Sequence, residues 1–402
     1  MIFRILEDQL AQKSKLSKAA DQRFMQLALA LGRRGQGRTW PNPAVGAVVV
    51  KDGVIVGRGW TQPGGRPHAE PEALKQAGEA ARGATLYATL EPCSHFGKSP
   101  PCADAIIAAG IARVVSAIED PNPEVAGQGH SRLRAAGISV DIGLGAAEAA
   151  RDHAGHFRRV RDKRPHVILK LAVSADDKIG ATGHRPVAIS GEAAKARVHL
   201  LRAQCDAILV GIGTVQADDP LLTCRLPGMA ARSPVRVVLD RALRLPGTSK
   251  LVHSARETPL WVMTSDLAEA PAAMKLGAAG AQVLRVATTT APPPGLDLLA
   301  VLHALSEKGI TRLLVEGGAR VASSFVAAGL VDEAWLLRGP DPIGADGIAA
   351  LDALPLTTIT QSPAFKVRAS EKLDKDTLTI YERAAWIRHA RPCAGHPRLG
   401  GK

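Results

Sequence analysis

One histidine, one glutamate and two cysteines have the types and spacing that hydrolytic chemistry at a metal ion requires. His68 and Glu70 stand two residues apart ahead of a predicted helix. Cys93 follows a predicted strand, and Cys102 begins a second predicted helix. One imidazole and two thiolates are the donors of a catalytic zinc ion, which keeps a fourth position for water. Zinc lowers the pKa of that water to about 7, so Glu70 is the expected proton shuttle beside the expected ligands His68, Cys93 and Cys102.

The same residues leave a second arrangement open. In a closed structural zinc site, a fourth protein ligand replaces the water, and His95 or Glu70 stands near enough in the sequence to be that ligand. A closed site would do no hydrolysis. The two arrangements therefore predict different consequences of removing the Glu70 carboxylate.

A glycine pair in the second half predicts a site for a phosphate-bearing cofactor. Gly317 and Gly318 follow a predicted strand and precede a predicted helix. The unpaired amides and the dipole of a helix N-terminus favour bound anions, and glycine allows close approach. A tight turn with only a structural role would also explain the pair.

Two series of strands and helices position these residues. In the first half we predict strands over 45–50, 85–90 and 114–118 and helices over 71–81 and 102–109. In the second half we predict strands over 167–173, 207–210, 235–239, 260–263, 282–286 and 313–316 and helices over 192–203, 298–308 and 319–328. Alternating strands and helices indicate an α/β protein with a helix-covered sheet in each half.

Length and composition indicate two domains. The chain has 402 residues, of which 46% are hydrophobic, and this exceeds what one ordinary core needs. We expect an N-terminal extension over 1–20, a first domain over 21–147, a charged linker over 148–165, a second domain over 166–385 and a basic, disordered tail over 386–402. Three prolines within 291–295 predict a loop inside the second domain.

The formal net charge of +13 is concentrated in three segments. Residues 1–20, 151–164 and 386–402 contribute +2, +4 and +4, which leaves +3 for the rest of the chain. Aromatic residues make up only 3% of the sequence, so stacking surfaces for single-stranded nucleic acid are scarce. We therefore expect no nucleic-acid partner, and read the charge as basic tails and a solvated linker or as attraction of a phosphorylated small substrate.

The apolar runs and the cysteines indicate the cellular location. No apolar run approaches the roughly 18 to 20 residues of a membrane span. Five cysteines in a chain without an export signal argue against a disulfide framework. We expect a soluble, cytoplasmic protein without a membrane partner.

The first half resembles a known class of zinc enzymes. His-x-Glu followed by Pro-Cys is similar to the signature of nucleoside and nucleobase deaminases, although eight residues separate the cysteines here. That long insert, with Pro41-Asn42-Pro43 upstream and Asp120-Pro121-Asn122-Pro123 downstream, resembles the riboflavin-biosynthesis deaminases. The resemblance implies a cytidine-deaminase-like three-layer domain in which Asn42 and His95 line the substrate pocket and Asp120 lies nearby. Turn chemistry alone would also explain the prolines around Asn42 and Asp120.

The second half resembles the riboflavin-specific reductases, which are similar in fold to dihydrofolate reductase. The resemblance runs from about 170 to 333 and is most specific over 198–225. It implies an α/β domain with NADPH as its cofactor, and departures over 174–190 fall near the expected cofactor. The implied cofactor contacts are Thr214, Asp218, Gly318, Ala319, Arg320, Val321, Ala322, Ser323 and Ser324. The implied substrate contacts are Arg202, Leu222, Arg225 and Glu316, and the two arginines suit a ribose phosphate through forked hydrogen bonds.

Together the two resemblances imply a bifunctional enzyme of riboflavin biosynthesis. Its zinc-dependent half would deaminate 2,5-diamino-6-(5-phosphoribosylamino)pyrimidin-4-one by hydrolysis, and its NADPH-dependent half would reduce the ribosyl group of the product to ribityl. The implied partners are this phosphoribosyl-pyrimidine and further copies of the chain in a homo-oligomer. Two alternatives stay open: a nucleic-acid base deaminase with an accessory reductase-like domain, and a zinc-stabilised binding protein without turnover.

Overall fold

The computed structural model describes residues 2–97, 99–182, 187–289 and 294–384, with side chains described from residue 18 onward. The chain forms two compact units, and the boundary between them lies between Arg161 and Asp162. We call them unit 1 and unit 2. The predicted tail over 386–402 lies outside the described residues, as do three residues of the predicted loop over 291–295. Within the described residues, no helix has both the length and the apolar character needed to cross a membrane.

Unit 1 is built on a mixed five-stranded sheet. Its strands are β1 (Gly46–Lys51), β2 (Val54–Trp60), β3 (Thr85–Ala88), β4 (Arg113–Ser116) and β5 (Ser139–Ile142). Its helices are α1 (Ile2–Arg33), α2 (Ala69–Ala77), α3 (Cys102–Ala108), α4 (Gln128–Ala135), α5 (Ala146–Asp152) and α6 (Ala154–Asp162). The strand order is β2-β1-β3-β4-β5, with β1 antiparallel to β2 and β3 and the remaining neighbours parallel.

The predicted elements of unit 1 are all present, with ends shifted by a few residues. Strand β1 forms because its run of valines is β-branched and is buried on both faces of the sheet. Strands β2 and β5 were not predicted; they are the two edge strands of the sheet, and each has several exposed residues. Burial rather than propensity is therefore what made the other strands predictable.

The segments predicted as an extension and as a linker are helical. Residues 2–20 belong to the single long helix α1, whose later residues Met25 and Leu29 are buried. Residues 148–165 form most of α5 and α6, and Ala150 and Phe157 on them are buried. The many charged side chains of this stretch suggested a linker, but its small apolar residues and Phe157 pack into unit 1.

Unit 2 contains a nine-stranded sheet and a separate two-stranded one. Its strands are β6 (His166–Val173), β7 (Lys178–Ala181), β8 (Ala207–Gly211), β9 (Val235–Leu239), β10 (Leu260–Ser265), β11 (Gln282–Val286), β12 (Arg312–Val315), β13 (Glu333–Arg338), β14 (Gly347–Ala349), β15 (Phe365–Leu373) and β16 (Asp376–Arg383). Its helices are α7 (Glu192–Gln204), α8 (Ile212–Asp218), α9 (Lys250–His253), α10 (Ala270–Ala278), α11 (Leu298–Glu307), α12 (Ala319–Ala327) and α13 (Thr357–Thr360).

The large sheet has the order β11-β10-β9-β8-β12-β6-β13-β16-β15, and β7 pairs with β14. The seven strands from β11 to β13 are parallel to their neighbours, whereas β16 and β15 are antiparallel. All six predicted strands are present, but β7, β13, β14, β15 and β16 were not predicted. Because β8 and β12 are parallel neighbours, the residues that follow them meet at one edge of the sheet.

Candidate active sites

The predicted metal ligands meet in unit 1. His68 precedes the first residue of α2, Cys102 begins α3, and Cys93 lies in the loop after β3. Nδ1 of His68 lies 3.3 Å from Sγ of Cys102 and 3.8 Å from Sγ of Cys93. Tetrahedral zinc with Zn–N of about 2.0 Å and Zn–S of about 2.3 Å requires N···S separations of about 3.5 Å. The three side chains therefore fit a zinc ion.

The cluster has three protein ligands rather than four. The ligand atoms of His68, Cys93 and Cys102 all lie within 4.8 Å of one another. Among the described residues, neither Glu70 nor His95 belongs to this group. The arrangement favours the site that keeps a position for water over the closed alternative.

Hydrogen bonds prepare Cys93 to be a ligand. The side chain of Cys102 and, after the opposing effect of burial, His68 lower the pKa of the Cys93 thiol to about 4. The backbone N–H of Cys102 also donates to Sγ of Cys93 at 3.2 Å. The pKa of Cys102 is raised, first by its hydrogen bond with Cys93 and then by burial. Zinc binds cysteine as the thiolate, so metal binding must release the proton of the Cys102 thiol.

Glu70 lies beside this cluster on the first turn of α2. Its side chain is buried and forms a hydrogen bond with Cys102. Burial raises the pKa of Glu70 to about 7, although His68 acts in the opposite direction. A carboxyl group whose pKa is close to neutral pH can both accept and donate a proton, which suits the predicted shuttle.

Asn42 contacts the other nitrogen of the histidine. Its Nδ2 donates to the carbonyl of Gly65 at 2.8 Å and lies 3.4 Å from Nε2 of His68. Gly65 has φ +85°, and a Cβ there would lie 2.8 Å from Asn42 Nδ2, so this approach needs glycine. Asn42 is therefore placed to orient the ligand, a contact that the sequence did not predict for it. His95 is exposed on the segment between the cysteines.

Glu91 braces the loop that carries Cys93, and the sequence analysis missed it. Its buried carboxylate accepts backbone N–H bonds from Asp120 at 3.2 Å, Gly127 at 3.0 Å and His130 at 3.2 Å. Burial raises the pKa of Glu91, and these amides lower it in part. An acidic residue at the end of a buried strand, next to Pro-Cys, is the signal that could have identified it.

Close packing completes this brace. A Cβ at Gly129 would lie 2.0 Å from the carbonyl oxygen of Pro92, so only glycine fits there. Helix α6 contributes as well, because Nε2 of His156 lies 3.0 and 3.1 Å from the two carboxylate oxygens of Asp120. Burial would raise the pKa of Asp120, but His156 and the Asn122 amide lower it on balance. The segment predicted as a linker thus holds the loop next to the metal ligands.

The charged residues of unit 2 pair with one another. Nε and Nη2 of Arg202 donate to the two carboxylate oxygens of Glu316 at 2.8 and 3.0 Å. Nζ of Lys170 lies 3.7 Å from Glu316 Oε2, and Nη1 of Arg202 donates to the carbonyl of Thr223 at 3.1 Å. Burial would raise the pKa of Glu316, but Lys170 and Arg202 lower it to about 2.

This pairing changes the interpretation of two residues. The fork of Arg202, which the sequence assigned to a substrate phosphate, is occupied by Glu316. Lys170 was not predicted, although it interrupts the otherwise apolar strand β6 and so carried a signal. The cluster contains two cations and one carboxylate, so a positive charge is left for a substrate although the fork of Arg202 is occupied.

The glycine pair lies where the sequence placed it, before α12. The N–H of Gly318 donates to the hydroxyl of Thr214 at 3.3 Å, which joins the residues after β8 and β12. Amides in the first turn of a helix have no partner within the helix, so α12 presents N–H groups near this contact. Hydroxyl and amide donors at a helix N-terminus fit a cofactor phosphate.

Not all of the predicted cofactor contacts face this edge. Ala322 and Ser323 are buried, and the Ser323 hydroxyl accepts the N–H of Asp352 at 2.7 Å. The hydroxyl of Ser324 donates to the carbonyl of Arg320 at 2.9 Å. The remaining predicted contacts on this stretch, namely Gly318, Ala319, Arg320 and Val321, are partly or fully exposed. The first turn of α12 is therefore the part available to a cofactor.

The other three predicted residues of unit 2 lie after α7 in the chain. Asp218 is exposed at the end of α8. Leu222 is buried with φ +57°, so it packs inside the unit rather than offering an open surface. Arg225 is exposed, and its backbone N–H donates to Nδ1 of His199 at 3.3 Å.

Comparison with known families agrees with the division into two sites. Residues 18–118 match the cytidine and deoxycytidylate deaminase zinc-binding region, and residues 165–379 match the RibD C-terminal domain. The first match contains all three predicted metal ligands, and the second contains the Lys170, Arg202 and Glu316 cluster. The predicted fold class is confirmed by these matches and by the two sheets.

Whole-length relatives and solved structures are similar to the chain throughout. The riboflavin biosynthesis protein RibD of Aquifex aeolicus is 41% identical over 90% of this chain and 98% of its own length. The Escherichia coli RibD is 39% identical over 89% and 97%. The structure of Acinetobacter baumannii RibD has a TM-score of 0.80 at 36% identity and covers 91% of this chain and 99% of its own.

A Thermotoga maritima structure is similar to the same extent. It is described as a diaminohydroxyphosphoribosylaminopyrimidine deaminase/5-amino-6-(5-phosphoribosylamino)uracil reductase. Its TM-score is 0.79 at 35% identity, and the match covers 92% of this chain and all of that one. Two catalytic activities are thus described for a protein that aligns with this chain along its length.

Proposed function

This chain belongs to the RibD family of bifunctional riboflavin biosynthesis enzymes, and we propose how its two units carry out the deamination and the reduction. Unit 1 hydrolyses the ring amine of 2,5-diamino-6-(5-phosphoribosylamino)pyrimidin-4-one. Unit 2 then reduces the ribosyl group of the product to ribityl with NADPH. The observation that supports this most is the three-ligand cluster with buried Glu70 beside it.

In unit 1 the protein side chains hold the metal and move the proton. When bound by His68, Cys93 and Cys102, zinc supplies Lewis acidity, which makes water a nucleophile at neutral pH. The Glu70 carboxylate takes the proton from the attacking water and delivers it to the departing amine. Asn42 fixes the ring of His68, and Glu91 fixes the loop that carries Cys93.

In unit 2 the residues bind and orient. The first turn of α12 and the Thr214 hydroxyl hold the cofactor phosphate. The Glu316 carboxylate positions Lys170 and Arg202 at the end of β12. NADPH supplies the hydride when bound, so these residues mainly keep donor and acceptor in register.

The alternatives predict other outcomes. A nucleic-acid base deaminase is not favoured, since the relatives match through the reductase half as well. A zinc-stabilised binding protein predicts that the Glu70 carboxylate matters only for stability. A homo-oligomer, a cytoplasmic location and the absence of a nucleic-acid partner stay predictions, which light scattering, cell fractionation and salt-dependent RNA titration would test.

A coupled assay on the zinc-loaded chain tests the proposal. We expect the wild type to release ammonia from the diaminopyrimidine ribotide and then to oxidise NADPH. Glu70→Gln should lower ammonia release by about 10³-fold, because general acid–base catalysis contributes roughly 10² to 10⁴. Supplying the deaminated product should restore NADPH oxidation in this variant.

Glu72→Gln on the same helix is the matched control, because Glu72 lies two residues further along α2 and, among the described residues, is not part of the His68, Cys93 and Cys102 cluster. It should keep wild-type rates. Full ammonia release by Glu70→Gln would exclude the proposed shuttle. Ammonia release without NADPH oxidation in the wild type would limit the activity to unit 1.

A further inference from the structure

The substrate of the proposed deamination carries a ribose 5-phosphate, and the following inference rests on that proposed function. A phosphate dianion that approaches a site containing a thiolate and a carboxylate needs a cation close to the opening. The segment between the two cysteine ligands, which carries exposed His95 and Phe96, lies at the edge of the cluster. The cations that contact this segment are therefore the ones to consider.

Arg66 contacts this segment from the metal-ligand side. It stands two residues before His68, and its Nη1 donates to the hydroxyl of Ser99. A Cβ at Gly97 would lie 3.3 Å from Nη2 of Arg66 and 3.9 Å from Nε2 of His95. The guanidinium and the imidazole thus approach Gly97 together, beside the cluster.

Arg66 and Arg132 differ in their charged partners. Among the described residues, Arg66 forms no ion pair with a carboxylate. Arg132 contacts the same segment, since its Nη1 donates to the carbonyl of Ser94 at 3.4 Å, but its Nη2 lies 2.6 Å from a carboxylate oxygen of Asp104. Two arginines therefore touch the inter-cysteine segment, and they differ in whether an acid already satisfies them.

We propose that Arg66 binds the 5′-phosphate of the deaminase substrate. The half-buried side chain keeps its guanidinium against Ser99, so little conformational entropy is lost when the fork meets a phosphate. Charge-assisted hydrogen bonds of this kind contribute about 1.5 to 3 kcal/mol. Arg66 thereby selects the phosphorylated substrate over its riboside, and Glu70 and the ligands act on the base.

Steady-state deamination by the zinc-loaded full chain tests this assignment with two substrates. The first is the phosphorylated diaminopyrimidine and the second is its dephosphorylated riboside. Arg66→Ala should raise the KM for the phosphorylated substrate about 30-fold, which corresponds to about 2 kcal/mol at 1.4 kcal/mol per tenfold change. It should leave kcat and the KM for the riboside within about twofold, and Arg66→Lys should recover part of the difference.

Two further variants separate phosphate binding from loop positioning. Ser99→Ala removes the contact of Arg66 with the segment but keeps the guanidinium, so it should change the KM for the phosphorylated substrate only slightly. Arg132→Ala removes a cation that is already paired with Asp104 and should not change the ratio of the two KM values. The proposal would be overturned if Arg66→Ala raised the KM of both substrates equally, or if Ser99→Ala raised the KM for the phosphorylated substrate as much as Arg66→Ala does.

A binding measurement keeps this test apart from the test of the function itself. Calorimetric titration of the zinc-loaded chain with ribose 5-phosphate should show one site fewer in Arg66→Ala than in the wild type and in Arg132→Ala, because any binding to unit 2 is common to all three proteins. An identical titration of all three proteins would overturn the role of Arg66. If the wild type releases no ammonia from either substrate, the proposed deamination is wrong, whereas the titration still decides about Arg66.

Discussion

The metal-ligand cluster of unit 1 and the Arg202–Glu316 cluster of unit 2 treat buried charge in opposite ways. In unit 1 an acid and two thiols gather beside one imidazole, and burial raises the pKa of Glu70 to about 7. In unit 2 one acid lies between two cations, which lower its pKa to about 2 despite burial. The first cluster needs a cation that its own side chains do not supply, whereas the second already contains its cations.

The difference teaches which functional residues a sequence can reveal. A site that must bind a metal uses residue types that no other role requires together, so His68, Cys93 and Cys102 stand out. A cluster of ion pairs uses ordinary charged residues whose partners lie far apart in the chain. Arg202 and Glu316 are 114 residues apart, and only their contact shows what Arg202 does.

The largest effect on stability should come from breaking the ion pair between Arg202 and Glu316. Arg202→Met leaves Glu316 buried with Lys170 alone, and removing one partner of a buried pair costs about 3 kcal/mol or more. We expect the free energy of unfolding of unit 2 to fall by about that amount in urea denaturation at pH 7. The deaminase of unit 1 should keep its ammonia release under native conditions.

The pH dependence gives this prediction a sign. The lowered pKa of Glu316 contributes stability that is present above its unfolded pKa of about 4.5 and is lost as pH falls toward 2. Arg202→Met raises that folded pKa, so less stability is left to lose between pH 4.5 and 2. Glu192→Gln, which removes an exposed ion pair with Lys195, is the control and should change neither quantity measurably. If Arg202→Met leaves the pH dependence of unfolding unchanged, Arg202 does not stabilise the Glu316 carboxylate.

An intermediate effect should come from the brace of the metal cluster. Glu91→Gln replaces one acceptor oxygen by an amide that faces backbone N–H groups, and a buried mismatch costs about 1 to 3 kcal/mol. Because the brace fixes Cys93, we expect about tenfold weaker zinc binding, measured by competition with a chromophoric chelator.

Glu119→Gln is the matched comparison for that experiment. Glu119 lies near Glu91 and His130 but is exposed, so its substitution should leave zinc affinity unchanged. Equal zinc affinity in Glu91→Gln and the wild type would mean that the ligand types alone determine the site. The site in unit 1 would then depend on residue type alone, whereas the cluster in unit 2 depends on contacts between distant residues.

The smallest effect should come from the cofactor edge of unit 2. Thr214→Val keeps the shape of the side chain and removes the hydroxyl that accepts the Gly318 N–H. Losing one neutral hydrogen bond costs about 1 kcal/mol, which predicts about a fivefold higher KM for NADPH. Thr357→Val on the exposed face of α13 is the control. If Thr214→Val leaves this KM unchanged, the contact only orders the loop.

Prediction from the sequence succeeded where burial or ligand chemistry leaves a local pattern. The buried runs of β1, β9 and β10 were located within a residue or two, and the three residues predicted as metal ligands meet in the structure. It failed for β13 even though that strand contains a buried apolar run, and for β15, which is mostly exposed. It also treated α6 as a linker, although His156 on that helix contacts Asp120.

The sequence by itself determined which residues could bind a metal, which acid beside them could move a proton, and the presence of two α/β units, because these follow from residue type and short-range spacing. Only the tertiary structure decided which charges are already satisfied. In the folded chain the guanidinium of Arg202 binds Glu316, and Glu91 binds backbone amides beside the loop of Cys93. Arg132 forms an ion pair with Asp104, whereas Arg66 forms none with a carboxylate among the described residues. The physical reason is that electrostatic pairing acts through space over a few ångströms, and residues far apart in the chain meet only after folding.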